Sequence, residues 1–284
     1  MRQMKIINNI FEMQEFSRQY QCQNPHKKIG LVPTMGYLHE GHLSLMRTIQ
    51  SSCDCLVVSI FVNPIQFNNR DDLEKYPRDI EHDIALLSGL DVDILFMPGE
   101  IDVYPKGVPE IFMDYPKLTN KLCGITRPGH FSGMLVIVHN LFQWVKPDYA
   151  IFGLKDYQQF ILIKKMIADL AMPVKILSGE IIRDPDGLAL SSRNVRLAPE
   201  ERINALVISS TLFKIKREFK SGKNQAGYLK KILHESLHKF KLDYASVYDT
   251  DTLVEFGDND IIKSGVAAVA VFIGEIRLID NLIL

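Results

Sequence analysis

Residues 28–63 read KIGLVPTMGYLHEGHLSLMRTIQSSCDCLVVSIFVN, and their texture decides the fold. Residues 28–34 form a short β-rich apolar run, residues 41–50 carry a helical pattern, and residues 55–63 return to strand character. Strands alternating with helices of this length build βα units and a parallel sheet. LVVSIFV is apolar at almost every position, as expected of a strand covered on both faces. The alternation continues outward through RDIEHDIALLSG (78–89) and VDILFMP (92–98). It resumes with a helix from Gly133 to Trp144, a strand at YAIFGL (149–154), a helix from Asp156 to Leu170 stopped before Pro173, and a strand at VKILSGEII (174–182).

This pattern predicts a doubly wound, Rossmann-like parallel-sheet domain over residues 1–183. Asp184-Pro185-Asp186-Gly187 is a turn signal at its end. Beyond it the texture changes. Pro199-Glu200-Glu201 opens a long helix, a second helix covers 225–240, and YASVYDT (244–250) and VAAVAVFIGEIRLI (266–279) read as two strand-like stretches. Residues 184–284 are therefore expected to form a smaller C-terminal α+β domain, lid-like in character.

The 284 residues carry 33 basic and 34 acidic side chains, a formal net charge of -1. Nucleic-acid and anionic-membrane binding both draw on a large basic excess, which is missing. The longest strongly apolar run, residues 266–273, falls well below the ~18 residues of a membrane-spanning helix. The N-terminal MRQMKIINNI lacks the apolar core of a secretory signal, and Cys22, Cys53, Cys55 and Cys123 show no CxxC spacing. A cytoplasmic protein with reduced thiols is the expectation.

Chemistry concentrates in residues 33–43, PTMGYLHEGHL, where the first of these strands passes into a helix. In an open α/β sheet ligands bind beyond the carboxyl ends of the strands, and the free N–H groups of a helix N-terminus suit phosphate. Gly36 and Gly41 let backbone approach a nucleotide closely. Neither a Walker loop nor a dinucleotide fingerprint is present. His39 and His42, three apart, can share one side of the first helical turn. A metal pair would need a third ligand. Two packed histidines are one alternative, and two donors to phosphate oxygens are the other.

The stretch resembles the His-x-Gly-His signature of the nucleotidylyltransferase and class I aminoacyl-tRNA synthetase superfamily, and PTMGYLHEGH closely resembles the pantoate–β-alanine ligase (pantothenate synthetase) family. Four further groups of residues are similar to that family's blocks, in order and at its spacing: FVNPIQF (61–67) with YPR (76–78), FGLKDYQQ (152–159), DGLALSSRN (186–194) and RLIDN (277–281). The resemblance covers nearly the whole chain. It implies ATP-dependent condensation of (R)-pantoate with β-alanine through a pantoyl-adenylate, with Mg2+ accompanying ATP and a homodimer as the assembly. Another adenylate-forming ligase or a nucleotidyltransferase of the superfamily is the alternative.

By the same resemblance, Met35, Gly36, Tyr37, Leu38, His39, Glu40, Gly41 and His42 form the ATP-binding turn, with His42, His39 and Lys155 catalytic. Gly153, Leu154, Lys155, Asp156, Ile182, Leu190, Ser191, Ser192 and Arg193 complete the ATP contacts. Gln66 and Gln159 are expected on pantoate, and Gln66 also on β-alanine; their amides donate and accept without adding charge. Leu154 and Leu190 depart from the family's usual residues conservatively, at positions expected to act through backbone. The protein ligands of Mg2+ are unassigned; Asp83 is a possible contact.

Overall fold

The apolar runs of residues 28–63 become the middle of a sheet. This computed structural model describes residues 4–284, so the first three residues of the stretch read for a secretory signal lie outside it. In chain order the elements are β1 (Lys5–Ile7), α1 (Ile10–Gln23), β2 (Ile29–Thr34), α2 (Glu40–Gln50), β3 (Cys55–Ile60), α3 (Arg70–Glu74), α4 (Ile80–Ser88), β4 (Ile94–Phe96) and α5 (Glu100–Val103). There follow α6 (Pro116–Thr119), α7 (Cys123–Thr126), α8 (His130–Val145), β5 (Tyr149–Gly153), α9 (Tyr157–Asp169) and β6 (Lys175–Gly179). The last elements are α10 (Pro199–Lys220), α11 (Ala226–Leu237), β7 (Lys241–Tyr248), β8 (Val266–Ile273) and β9 (Ile276–Ile283).

The chain divides into two compact units. The first holds residues up to Tyr115, Arg127–Leu154 and Gln159–Glu180; the second holds Pro116–Thr126, Lys155–Gln158 and Ile181–Leu284.

In the first unit six strands lie in the order β1-β4-β3-β2-β5-β6, every neighbouring pair parallel. This is the Rossmann-like sheet expected. From β2 the chain adds β3 and β4 on one side, then returns to add β5 and β6 on the other. The winding therefore reverses between β2 and β5, and at such a point the carboxyl ends of the strands open a crevice for ligand. Met46 and Ile49 of α2 and Leu87 of α4 pack on Val32, Val58 and Leu95 of the sheet, all fully buried. Each such side chain contributes roughly 1.5–3 kcal/mol. This packing fixes where α2 begins, and hence where its free N–H groups lie.

β1 and α1 precede the region where the sequence alternates clearly. Only Met13 and Ser17 of α1 are buried, so its apolar stripe is thin, and Asn9 starts it by accepting from the Glu12 N–H at 3.1 Å.

In the second unit β7, β8 and β9 form an antiparallel sheet in that order. Ile208, Leu212 and Ile215 of α10, with Leu229 and Leu233 of α11, pack against Ala267, Val269 and Val271 of β8. Pro199 opens α10, and the Glu201 carboxylate caps it by accepting from the Ala198 N–H at 2.9 Å. Residues 266–279, read as one strand-like stretch, instead belong to two strands of a hairpin turned at Gly274, whose φ is +56°. β8 is the middle strand, buried on both faces, so its apolar run flows into β9 with only Gly-Glu to mark the turn. Among the described residues no helix is long and apolar enough to cross a membrane.

All four cysteines are free thiols, and only Cys22 is exposed. Burial, with Asp93 and Asp54 nearby, pushes the Cys53 thiol up to about 11. A raised pKa leaves little nucleophilic thiolate at neutral pH. Iodoacetamide at pH 8 should therefore label Cys22 in the native protein, and Cys53, Cys55 and Cys123 only after unfolding. Peptide mass mapping checks this, and equally fast labelling of Cys53 would contradict it.

Candidate active site

β2 ends in a turn that its own residues cannot hold alone. The Thr34 hydroxyl donates to the Ser59 carbonyl on β3 (2.8 Å) and accepts from the Gly36 N–H (3.2 Å). Gly36 and Tyr37 then both take left-handed backbone, with φ of +79° and +51°. For Tyr37 that conformation carries strain of order 1 kcal/mol or more, tolerated only where surroundings over-determine it. Asp83, in the first turn of α4 and 1% exposed, does so. Its carboxylate accepts from the Tyr37 N–H at 2.8 Å and the Leu38 N–H at 2.6 Å. A Cβ on Gly36 would lie 3.1 Å from Asp83 Oδ2 and 3.0 Å from Ile60, so glycine is needed for space as well as for φ. Burial raises the Asp83 pKa above the usual carboxylate range, while the Leu38 and Tyr37 N–H groups pull it back.

The next residue but one begins α2. His39 is the N-cap, and its Nδ1 accepts from the Gly41 N–H at 3.2 Å. His42 reaches back, its Nδ1 accepting from the His39 N–H at 3.3 Å. The two imidazoles thus form a capping box in the places usually taken by hydroxyl and carboxylate. The rings are tilted by 35° to one another, centroids 4.1 Å apart. A nitrogen that accepts carries no hydrogen, so each ring holds its proton on Nε2. The cap therefore turns both histidines into neutral N–H donors at a helix N-terminus. Glu40 pairs with Arg47 along α2.

Gln66 follows β3 in a short 3-10 turn, Pro64–Gln66. Asn63, 1% exposed, orients it: Asn63 Nδ2 donates to Gln66 Oε1 (3.0 Å) and to the Gly133 carbonyl (3.1 Å), while Tyr104 OH donates to Asn63 Oδ1 (2.7 Å). With its oxygen so engaged, the Gln66 amide nitrogen lies 2.9 Å from Met35 Sδ. His130 Nδ1 donates to the Gln66 carbonyl at 2.7 Å. Gly133 leaves no room for a Cβ beneath Ile65 and Gln66, so α8 presses directly on this turn. Two separate sequence blocks, residues 35–42 and Gln66, are thereby brought together. Gln159 lies half-buried on α9 in the same unit. Its neighbour Gln158 is structural: it donates to the Leu118 and Lys121 carbonyls (2.8 and 2.7 Å) and accepts from the Cys123 N–H (3.1 Å).

Gly153 ends β5 across the reversal point from β2, and Leu154 follows it. Lys155 and Asp156, next in the chain, group with the second unit; Lys155 Nζ lies 4.0 Å from Asp156 Oδ1. In that unit residues 182–190 form a small hairpin: Leu190 N–H donates to the Ile182 carbonyl and Asp184 N–H to that of Leu188, both at 2.9 Å. Gly187, with φ +96°, makes its turn, and Arg202 clamps it through Asp184 and Asp186 at 2.7 and 2.8 Å. Ser191 then caps a 3-10 turn by accepting from the Arg193 N–H (3.3 Å), and Ser192 is buried within it. Arg183, beside Ile182, meets Asp280 of β9 with two bonds of 2.6 and 2.9 Å. Among the described residues no group of three or more His, Cys, Asp or Glu side chains is arranged to hold a metal ion.

The bracing roles of Asn63, Tyr104, Asp83 and His130 escape sequence reasoning because their work is done on backbone and amide atoms, most of them far away in the chain. Only the block context of Asn63 and the register of Asp83 five residues beyond Arg78 offered a signal.

A winding-reversal sheet with a histidine-capped helix at its strand ends defines an α/β protein with a candidate ligand site on the turn after β2. The model of the family described as pantoate-β-alanine ligase matches residues 5–283. The chain belongs to that family and is an enzyme of that kind, a ligase. It is 46% identical over 286 residues to the pantothenate synthetase of Thermotoga neapolitana, covering 99% of this chain and all of that one. Against that of Syntrophomonas wolfei it is 44% identical over 283 residues, 99% of each. The crystal structure of pantothenate synthetase from Thermus thermophilus has a TM-score of 0.89 and 38% identity, covering 98% of this chain and 99% of that one. The Francisella tularensis pantoate-β-alanine ligase, solved with β,γ-ATP and β-alanine, has a TM-score of 0.77 and 37% identity, covering 99% and 97%.

Replacing Asp83 by Asn keeps the shape but sets an amide N–H against one of the two backbone donors. A buried donor left unsatisfied costs about 1–3 kcal/mol. Since burial already disfavours the charge, the variant should fold. Asp83→Asn is expected to lower kcat/KM for ATP at least ~5-fold with an unchanged circular dichroism spectrum. Steady-state kinetics read this, and an unaltered kcat/KM would show that the turn holds without Asp83.

Proposed function

We propose that this enzyme condenses (R)-pantoate with β-alanine at the expense of ATP, through a pantoyl-adenylate. The observation that carries this reading is the histidine cap: two Nε2–H donors set at a helix N-terminus, where negative charge on a phosphate chain needs them. A carboxylate resists amines, being anionic and lacking a good leaving group. In the first step a pantoate carboxylate oxygen bonds to the α-phosphorus and the Pα–O bond to the β-phosphate breaks, so that pyrophosphate leaves with the electron pair. In the second, the β-alanine ammonium loses one proton to solvent to free its lone pair, the nitrogen bonds to the acyl carbon, the C–O bond to AMP breaks with the electron pair going to AMP, and a second proton passes from the nitrogen to solvent. No protein nucleophile is required.

The chain's part is orientation and charge stabilisation. Residues 35–42 cradle ATP, and His39 and His42 donate to phosphate oxygens as charge builds on them. Lys155 offers a fixed positive charge to the α-phosphate. Gly153, Leu154, Asp156, Ile182 and Leu190 hold the nucleoside largely through backbone, while Ser191, Ser192 and Arg193 serve the pyrophosphate side. Gln66 and Gln159 bind pantoate, and Gln66 also β-alanine. Magnesium travels with ATP, held by phosphate oxygens and water. Asp83 is already committed to two backbone N–H groups, which suits a place behind the turn better than one on the ion. The enzyme works as a cytoplasmic homodimer.

Purified protein given ATP, magnesium, pantoate and β-alanine should form AMP and pantothenate in equal amounts, and pantoate alone should stimulate exchange of labelled pyrophosphate into ATP. Exchange driven by another acid but not by pantoate would overturn the substrate assignment. His42→Ala and Lys155→Ala should each lower turnover ~100-fold or more while changing the KM for ATP far less. Near-normal turnover in both would remove the roles given to them.

A further inference from the structure

Residues 277–281, RLIDN, have no part in the chemistry above, although they lie on β9, at the end of the chain. Alternation along a strand sends Asp280 and Asn281 to opposite faces. Asp280 lies on the side of Leu278 and Leu282, among the apolar core, and is held there by Arg183. Asn281, 4% exposed, shares the other side with Arg277. Its amide Nδ2 donates to the main-chain carbonyl of Lys155 at 2.9 Å.

We infer that Asn281 is a positioning residue for Lys155. The Leu154–Asp156 turn is a single 3-10 turn, with few bonds of its own to set its orientation. Its continuation is tied down by Gln158, through the three bonds to residues 118–123, and by Tyr157 OH, which donates to the Thr250 carbonyl at 3.1 Å. Neither of these addresses Lys155 itself. The Asn281 bond does: fixing the direction of the Lys155 carbonyl fixes the peptide plane that follows it, and with it the direction in which the Lys155 side chain leaves the backbone. A long, flexible ammonium group delivers its charge to one point in space only if its root is held. On the same face Arg277 donates to Asp243 Oδ2 at 2.8 Å and to Cys123 Sγ at 3.3 Å, so β9 seats both short segments that the second unit draws from the middle of the chain. An amide suits position 281 because it donates without charge; an aspartate there would set a carboxylate against the carbonyl.

This rests on the reading that Lys155 serves the α-phosphate, and a double-mutant cycle separates the two. Pantoate-dependent pyrophosphate exchange is measured for Lys155→Ala, Asn281→Leu and the double variant, with thermal unfolding recorded for each. Asn281→Leu should lower the exchange kcat ~10-fold with the KM for ATP changed less than ~3-fold, and should add little further loss on top of Lys155→Ala, because two residues acting as one unit are not additive. Asn281→Ala, which removes atoms rather than exchanging them, takes its place should the Leu variant fail to fold. If Lys155→Ala exchanges normally, the reading of Lys155 falls and this inference with it. If Lys155→Ala is slow but the Asn281 loss is absent, or multiplies in full with the Lys155 loss, Asn281 is only structural and the inference alone falls.

Discussion

Two hydrogen bonds, from the Tyr37 and Leu38 N–H groups to the buried Asp83 carboxylate, hold the point on which the first unit's chemistry turns. They fasten a pair of left-handed residues that would otherwise be strained, and the direction in which the chain leaves that pair decides where α2 starts. Residues 38–42 inherit their position from there. Met35 meets Gln66, His39 becomes the N-cap, and His42 closes the cap from the next turn. The carboxylate that secures the arrangement is costly to bury, as its raised pKa records, and its two backbone donors offset part of that cost.

The second unit solves a similar problem with amides and ion pairs. Gln158, Asn281 and Arg183 each reach across long chain separations to hold backbone or carboxylate oxygens, and each serves a short irregular segment rather than a helix or strand. Breaking one partner of a buried pair such as Arg183–Asp280 leaves an uncompensated charge, a loss of about 3–5 kcal/mol. Irregular segments are where ligand-facing residues are found, and they lack the repeating bonds that steady regular structure. Buried polar side chains supply the missing bonds.

The sheet was legible because its strands are buried on both faces: LVVSIFV and its neighbours are apolar without interruption, and the intervening helices keep their own period. The same property concealed the β8–β9 hairpin, where continuous apolar character hides a two-residue turn. β1 and α1 gave too thin an apolar pattern to read. The turn of residues 35–42 stood out in the sequence by residue type and spacing and Gln66 by its block, and the fold brings Met35 and Gln66 together. The supporting residues did not stand out. Asn63, Tyr104 and Asp83 act over separations of 3 to 70 residues, on backbone groups or on another buried amide, so no local pattern announces them. Gln158 and Gln159, adjacent and identical in type, differ only in which way the helix turns them.

The second unit draws residues 116–126 and 155–158 from the middle of the chain, and these have consequences for how the protein comes into being. Neither unit corresponds to a continuous stretch of gene, so neither can be copied, fused or exchanged as a module without leaving stranded loops behind. On the ribosome the two segments emerge more than a hundred residues ahead of β9, whose side chains are to receive them. Until β9 is made, the turn bearing Lys155 has no seat for its carbonyl, and a nascent chain that stops short of β9 has the turn of residues 35–42 complete but this brace missing. Synthesis of β9 is thus built into the architecture as a condition for assembling the second unit.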